Sequence, residues 1–138
     1  MAKKTLGVVT GIAVWMIIVS VAGVIMRRSW PAYASAADAM TFTLSMLVAR
    51  LSISTVATLA AGMVTASLVP QSLPARLMPG VLLLAGFIPV HIMLWDKFPV
   101  WYHLTFLLSL VPLTYLGGTM AGVGRTVGPA DASRSPVI

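Results

Sequence analysis

Four long apolar segments constrain the fold of this chain more than any other feature, and Arg50 is the only Lys, Arg, Asp or Glu inside them. They cover approximately residues 6–26, 41–69, 77–95 and 98–121. As a helix that rises 1.5 Å per residue, each can cross a hydrocarbon core of about 30 Å. Inside a bilayer the backbone must satisfy its own hydrogen bonds, which favours helices over isolated strands. The sequence therefore predicts an all-α polytopic membrane protein, a four-transmembrane-helix bundle with short loops in a single domain.

The composition excludes a free-standing water-soluble domain. Hydrophobic residues make up 59% of the chain and charged residues 9%, whereas soluble domains average about 45–50% and about 25%. The net charge of +6 comes from Lys and Arg scattered singly or in pairs, so we expect phospholipid headgroups rather than nucleic acid as the polyanionic partner. The chain has no cysteine, which excludes disulfides, thiolate metal sites and cysteine nucleophiles.

The first apolar segment could also be interpreted as a signal peptide, because lysines precede it and small residues follow it. Its apolar run exceeds the 7–15 residues of a signal sequence, and Arg27-Arg28 comes before the small residues. We therefore expect an uncleaved first helix. Ser35 and Asp38 have the spacing of a capping box, which predicts that the second helix begins near Ala36. Residues 122–138, rich in Gly, Ser and Pro, are predicted to form a flexible tail.

Positive charges outside the segments predict the orientation in the membrane, because cytoplasmic loops carry an excess of Lys and Arg. Four crossings place the two ends of the chain on the same side. Five such residues lie on that side (Lys3, Lys4, Arg76, Arg125, Arg134) and three on the other (Arg27, Arg28, Lys97). We therefore expect a bacterial cytoplasmic (inner) membrane protein with both termini in the cytoplasm.

Arg50 lies on a stripe of small and polar residues along one face of the second segment. At 100° per residue the stripe occupies an arc of about 80°; its members are Thr43, Arg50, Ser54, Thr58, Ala61 and Thr65. Such a face should contact other helices or a wet cavity rather than acyl chains. Arg50 could contact an anion, a quinone or a lipid headgroup, or provide a fixed charge in a permeation path. It could equally snorkel to the interface and bond to neighbouring helices.

The two histidines of the chain, His91 and His103, are placed symmetrically about Lys97 in the third connection. Antiparallel helices then bring both imidazoles to a similar depth. Arg50 lies at a comparable or slightly greater depth, measured from the same side of the membrane. We expect a binding cluster of Arg50, His91 and His103 near the outer leaflet, beneath Trp95, Trp101 and Tyr102. Arg50, His91, His103, Tyr102 and Trp101 are the candidate binding residues; no catalytic or metal-ligating residue is predicted.

Several uses of this cluster remain open from the sequence. Two histidines could bind haem, although a tight hairpin leaves little room for a porphyrin. A metal would have two imidazoles as ligands, with Asp96 as the one further candidate, which falls short of the three or four protein ligands expected for zinc. Protonatable histidines could serve a proton-coupled or headgroup site, or simply hydrogen-bond the hairpin together. We predict no cofactor.

Two small-residue motifs, Gly7-xxx-Gly11 and Gly118-xxx-Gly122, predict close approach of the first and fourth helices to a neighbour or to a partner. Because so few side chains can carry chemistry, we expect a non-enzymatic accessory or structural membrane subunit. Its partners would be the lipid bilayer and either a second copy or another membrane protein. The alternatives are an oligomeric small-solute or ion transporter or channel using Arg50, His91 and His103, and a haem- or quinone-binding redox subunit.

Overall fold

The computed structural model describes residues 2–70 and 72–126 of the chain, with side chains through residue 122. These residues form five α-helices and a single 3₁₀ turn, and none of them lies in a strand. The elements are α1 (Ala2–Ser29), α2 (Pro31–Ala39), α3 (Leu44–Leu68), α4 (Leu73–Met93), the 3₁₀ turn (Trp95–Lys97) and α5 (Val100–Thr126). Helices α1, α3, α4 and α5 are each long and apolar enough to cross a membrane, which confirms the predicted all-α four-helix bundle.

Helix ends differ from the sequence prediction by a few residues. Helix α4 begins at Leu73 rather than near residue 77, because Ser72 caps it: the Ala75 N–H donates to Ser72 Oγ at 3.4 Å. Helix α5 continues to Thr126, so the first residues of the predicted tail are helical. The rest of that tail, residues 127–138, lies outside the described residues.

The predicted capping box at Ser35 and Asp38 is wrong. Pro31 instead begins a separate helix, α2, a position that suits its fixed φ and missing N–H. Ser35 is inside that helix and donates to the Pro31 carbonyl at 3.3 Å, while Asp38 pairs with Arg27 at 2.8 Å. Met40 ends α2 in the left-handed conformation, with φ of 57°, so the chain turns before α3 starts.

Helix α3 occupies the centre of the bundle and packs mainly against α5 and α1, while α4 packs against α5. Four residues of the predicted stripe, Ser54, Thr58, Ala61 and Thr65, are buried on the inward face of α3. The prediction that this face contacts other helices is confirmed for these four, whereas Arg50 is half-buried and Thr43 is exposed and precedes the first residue of α3. The outer faces of the spanning helices expose large apolar side chains, as expected of surfaces in contact with acyl chains.

Glycines allow the closest helix contacts. A Cβ on Gly11 would lie 2.9 Å from the Ala61 carbonyl oxygen, and one on Gly7 would lie 2.6 Å from Val69 Cγ2, so the first motif does bring α1 onto α3. The second motif holds only in part: Gly118 is buried and its nitrogen would lie 3.1 Å from a Cβ on Gly62 of α3, whereas Gly122 has open space around it. The close approach of α5 to α3 also includes Gly117, where a Cβ would overlap the Leu59 carbonyl.

Candidate functional site

The Arg50 guanidinium is held by two phenols from different parts of the chain. Its Nη1 donates to the Tyr33 hydroxyl at 2.8 Å and its Nε donates to the Tyr102 hydroxyl at 3.3 Å. Its Cζ lies 4.8 Å from the centre of the Phe42 ring, a cation–π distance. Tyr33 is 3% exposed and Tyr102 is 4% exposed, so both hydroxyls are fixed by packing. Helix α2 packs against α1, and its Tyr33 reaches Arg50 beside Met46 of α3.

The charge of Arg50 has no carboxylate partner within the described part of the chain. The ion pair found there joins Arg27 and Asp38, whose side chains are 49% and 72% exposed. A phenol hydroxyl is an uncharged hydrogen-bond partner, so Tyr33 and Tyr102 satisfy hydrogen bonds of Arg50 without supplying a counter-charge. A guanidinium in a membrane-spanning helix without a counter-ion is costly, which makes this position a natural point of attachment for an anion.

Arg50 faces a cavity of about 250 Å³ between α1, α3, α4 and α5, which we call the deep cavity. Its wall is mainly apolar and aromatic and includes Trp15, Ile53, Phe87 and Phe106. The volume corresponds to about eight water molecules at about 30 Å³ each. Ser54 also lines it, and the Ser54 hydroxyl is a buried polar group without a hydrogen-bond partner. The cavity therefore offers mostly apolar surface, with a cation at one end and a free hydroxyl on its wall.

A second cavity, of about 420 Å³, lies between α1, α2 and α3; we call it the surface cavity. It shares five lining residues with the deep cavity: Val19, Ser20, Gly23, Tyr33 and Arg50. The exposed Arg27 also lines it. Arg50 and Tyr33 thus stand where the two cavities meet, so a molecule in either cavity reaches the guanidinium.

His91 and His103 are in direct contact, as their predicted common depth implied. Their Nδ1 atoms are 2.7 Å apart, and His103 Nε2 is 3.3 Å from the Trp95 carbonyl oxygen. A carbonyl only accepts, so His103 carries its hydrogen on Nε2 and its Nδ1 accepts from the Nδ1–H of His91 in the neutral pair. Trp95 stacks on the His103 ring at 4.7 Å between ring centres. The pair therefore fastens α4, the 3₁₀ turn and α5 together.

The histidine pair and Arg50 are neighbours through Tyr102 rather than in contact. The Tyr102 ring stacks near His91, with ring centres 6.3 Å apart, while its hydroxyl accepts from Arg50. Trp95, one of the three aromatic residues predicted to lie above the cluster, does stack on His103. Trp101, in contrast, is 41% exposed and touches the site only through the edge of the Tyr102 ring.

Metal binding finds little support in this geometry. A metal between two imidazoles forms bonds of about 2.0–2.1 Å to each nitrogen, which holds the nitrogens farther apart than the 2.7 Å of the direct contact. Among the described residues, no three His, Cys, Asp or Glu side chains come together as a metal site would need.

Sequence reasoning missed Tyr33, Phe42 and Trp15 as residues of the site. Trp15 forms part of the cavity wall and donates from Nε1 to Thr58 Oγ1 at 3.1 Å, which ties α1 to the polar stripe of α3. The available signal for Tyr33 was Trp30-Pro31, since proline at a first helical position indicates a helix start. An early start would have placed Tyr33 on a helix between α1 and α3.

Comparison with protein-family models, curated proteins and solved structures gave no match for this chain. Functional inference therefore depends on the geometry of the site.

Proposed function

We propose that this protein is a non-enzymatic accessory membrane protein that binds an amphipathic anion. A carboxylate or phosphate head bonds to Arg50, and an apolar chain or ring occupies the deep cavity. The observation that carries this proposal is the Arg50 guanidinium, fixed by two neutral phenols at the mouth of an apolar cavity with no carboxylate beside it among the described residues.

The fixed position of Arg50 favours anion binding over simple snorkelling. A snorkelling side chain extends toward water and keeps its head hydrated, whereas the Arg50 head is bonded to Tyr33 and Tyr102 and covered by Phe42. Those contacts engage Nε and Nη1, whereas Nη2 has no hydrogen-bond partner among the described residues, so a guanidinium donor remains for a ligand oxygen. Charge-assisted bonds of this kind are about twice as strong as neutral ones.

Packing below the cavity supports binding rather than passage of a solute. Trp15 and Thr58 are hydrogen-bonded to each other beneath it, and both are buried. Farther along the bundle, Thr65 donates to the Gly7 carbonyl at 3.2 Å across the α1–α3 contact. A transporter would have to open both contacts.

The proposal places this site in the outer half of a bacterial inner membrane, with the start of α1 and the end of α5 in the cytoplasm. The distribution of Lys and Arg supports this orientation. A ligand would then enter through the surface cavity or from the outer leaflet, past the exposed Ser20.

Binding of a simple amphiphile tests the proposal. Purified protein in a non-ionic detergent is titrated with oleate and, separately, with oleyl alcohol, which has the same chain without the charge. A ligand present at 100 times its dissociation constant stabilises the folded state by about 2.7 kcal/mol. We expect oleate to raise the unfolding temperature and oleyl alcohol to raise it much less.

Two variants test whether the preference for oleate depends on Arg50. Arg50→Gln should reduce the preference for oleate over the alcohol, because the head loses its charged partner in the deep cavity. Arg28→Gln removes an exposed cation on the same side of the bundle and should preserve that preference. Equal responses to oleate in wild type and Arg50→Gln would contradict the proposal.

A further inference from the structure

A groove separates the start of α1 from the start of α4 at the opposite end of the bundle from Arg50; we call it the α1–α4 groove. Its wide part has a volume of about 890 Å³ and is lined by Lys3, Lys4, Ser72 and Pro74, among others. A narrower part of about 330 Å³ shares Lys4, Ser72 and Pro74 and continues along the two helices as far as Leu82. The shared lining makes these two parts one groove.

The groove changes from cationic to apolar along its length. Both lysines are exposed at its wide end, whereas most residues that line its narrow part are apolar, among them Val8, Val9 and Met78. Val8 packs with Val69 and Ala75 to form a buried apolar cluster at its base. A molecule that fills the groove should therefore have an anionic head and a hydrocarbon chain.

The acidic residues are absent from this end of the described bundle. Between residues 2 and 126, excluding residue 71, the carboxylates are Asp38 and Asp96, which lie in α2 and in the 3₁₀ turn at the other end. No carboxylate in that part of the chain offsets the charge of Lys3 and Lys4. The charge of the groove is therefore complementary to a phosphate.

The length of the groove matches one leaflet. Ten residues separate Ser72 from Leu82, which is about 15 Å along a helix. The hydrocarbon core of a bilayer is about 30 Å thick, so the groove extends from the headgroup level to near the midplane.

We propose that the α1–α4 groove holds one anionic phospholipid, with its phosphate at Lys3 and Lys4 and an acyl chain along Val9, Met78 and Leu82. Basic pockets between membrane helices are known to recognise anionic headgroups. This site is distinct from the Arg50 cavities, with which it shares no lining residue.

Native mass spectrometry of the full chain tests this site. The protein, released from detergent micelles, is titrated with palmitoyl-oleoyl phosphatidylglycerol or with the zwitterionic phosphatidylcholine of the same chains. We expect one phosphatidylglycerol molecule to bind in preference to phosphatidylcholine. Lys3→Gln combined with Lys4→Gln should weaken that binding roughly thirtyfold, at about tenfold per 1.4 kcal/mol and about 1 kcal/mol per lysine.

The matched control is Arg28→Gln combined with Lys97→Gln, which removes two exposed cations from the other end of the bundle. These charges lie more than a Debye length of about 10 Å from the groove, so we expect a change of less than about twofold. Equal weakening by both double variants would mean diffuse attraction and would overturn the proposal.

A third variant, Val9→Trp, fills the groove and leaves the charge unchanged. Val9 is 57% exposed, so the substitution should leave the fold intact. It should also remove the preferred phosphatidylglycerol molecule. Retention of that lipid by Val9→Trp, or unchanged binding in the lysine double variant, would overturn the proposal.

Discussion

The Nδ1 atoms of His91 and His103 lie 2.7 Å apart, which joins α4 to α5 through one buried hydrogen bond. His103 is fully buried and His91 is 8% exposed. Each ring also stacks on an aromatic neighbour, His103 on Trp95 and His91 on Phe106. The contact therefore combines a specific hydrogen bond with packing at the point where the chain reverses.

Removing either histidine should destabilise the bundle. His103→Ala leaves the His91 N–H and the Trp95 carbonyl without this partner, and an unpaired buried polar group costs about 1–3 kcal/mol. In a double-mutant cycle with His91→Ala, the free energies of unfolding should show a coupling of about 0.5–3 kcal/mol. Unfolding in mixed detergent micelles measures these values. Additive effects of the two substitutions would show that the hydrogen bond contributes nothing specific.

Thr58 should contribute to stability through Trp15. Thr58→Val removes the hydroxyl that accepts from the buried Trp15 N–H and should lower the free energy of unfolding by about 1–3 kcal/mol. Thr10→Val is the matched control, because each hydroxyl donates to the carbonyl four residues earlier, Thr58 to Ser54 at 2.7 Å and Thr10 to Leu6 at 2.8 Å, but Thr10 lies outside the core. We expect that control to change stability by less than about 0.5 kcal/mol. Equal losses in the two variants would contradict the role given to the indole contact.

Gly62 should not tolerate a methyl group. A Cβ at Gly62 would overlap the Thr114 carbonyl of α5, and forcing extra volume into a packed contact costs about 1–3 kcal/mol. Gly23→Ala is the control, since nothing lies within 4 Å of its Cβ position. That control should be neutral or slightly stabilising, because alanine favours helix. Thermal unfolding of both variants gives the comparison, and a tolerated Gly62→Ala would contradict the close α3–α5 contact.

The proposed orientation can be tested by accessibility. Two variants, Lys3→Cys and Lys97→Cys, are treated separately in spheroplasts with a membrane-impermeant maleimide, which is possible because the chain has no native cysteine. Labelling of Lys97→Cys alone is the expected result, because its connection lies outside the cell in the proposed topology. Labelling of Lys3→Cys alone would reverse the orientation.

The bundle could be predicted from the sequence because membrane helices have a strong local signal. Length and hydropathy identify the spans, and the helical period placed Ser54, Thr58 and Thr65 on the buried face. The symmetry of His91 and His103 about their hairpin likewise predicted their common depth, because two antiparallel helices joined by a short turn have little freedom of register.

The parts that could not be predicted depend on contacts between distant residues. Tyr33 bonds to Arg50 only because the chain turns at Met40 and α2 packs against α1, which brings Tyr33 beside Met46 of α3. The close packing at Gly117, which lies outside the predicted motif, and the open space at Gly122, which lies within it, depend on the rotation of α5 about its axis. Spacing motifs recur on several faces of an apolar helix, so the sequence alone does not say which face meets a neighbour.

The most direct test of the account is to map where an amphipathic anion binds. A fatty acid that carries a photoreactive diazirine on its chain is irradiated with the protein in detergent, and the labelled peptides are identified by mass spectrometry. The account predicts labels on deep-cavity residues such as Trp15, Ile53 and Phe106 in the wild type, and loss of these labels in Arg50→Gln. Labels confined to the lipid-exposed faces, or a pattern unchanged by Arg50→Gln, would contradict it.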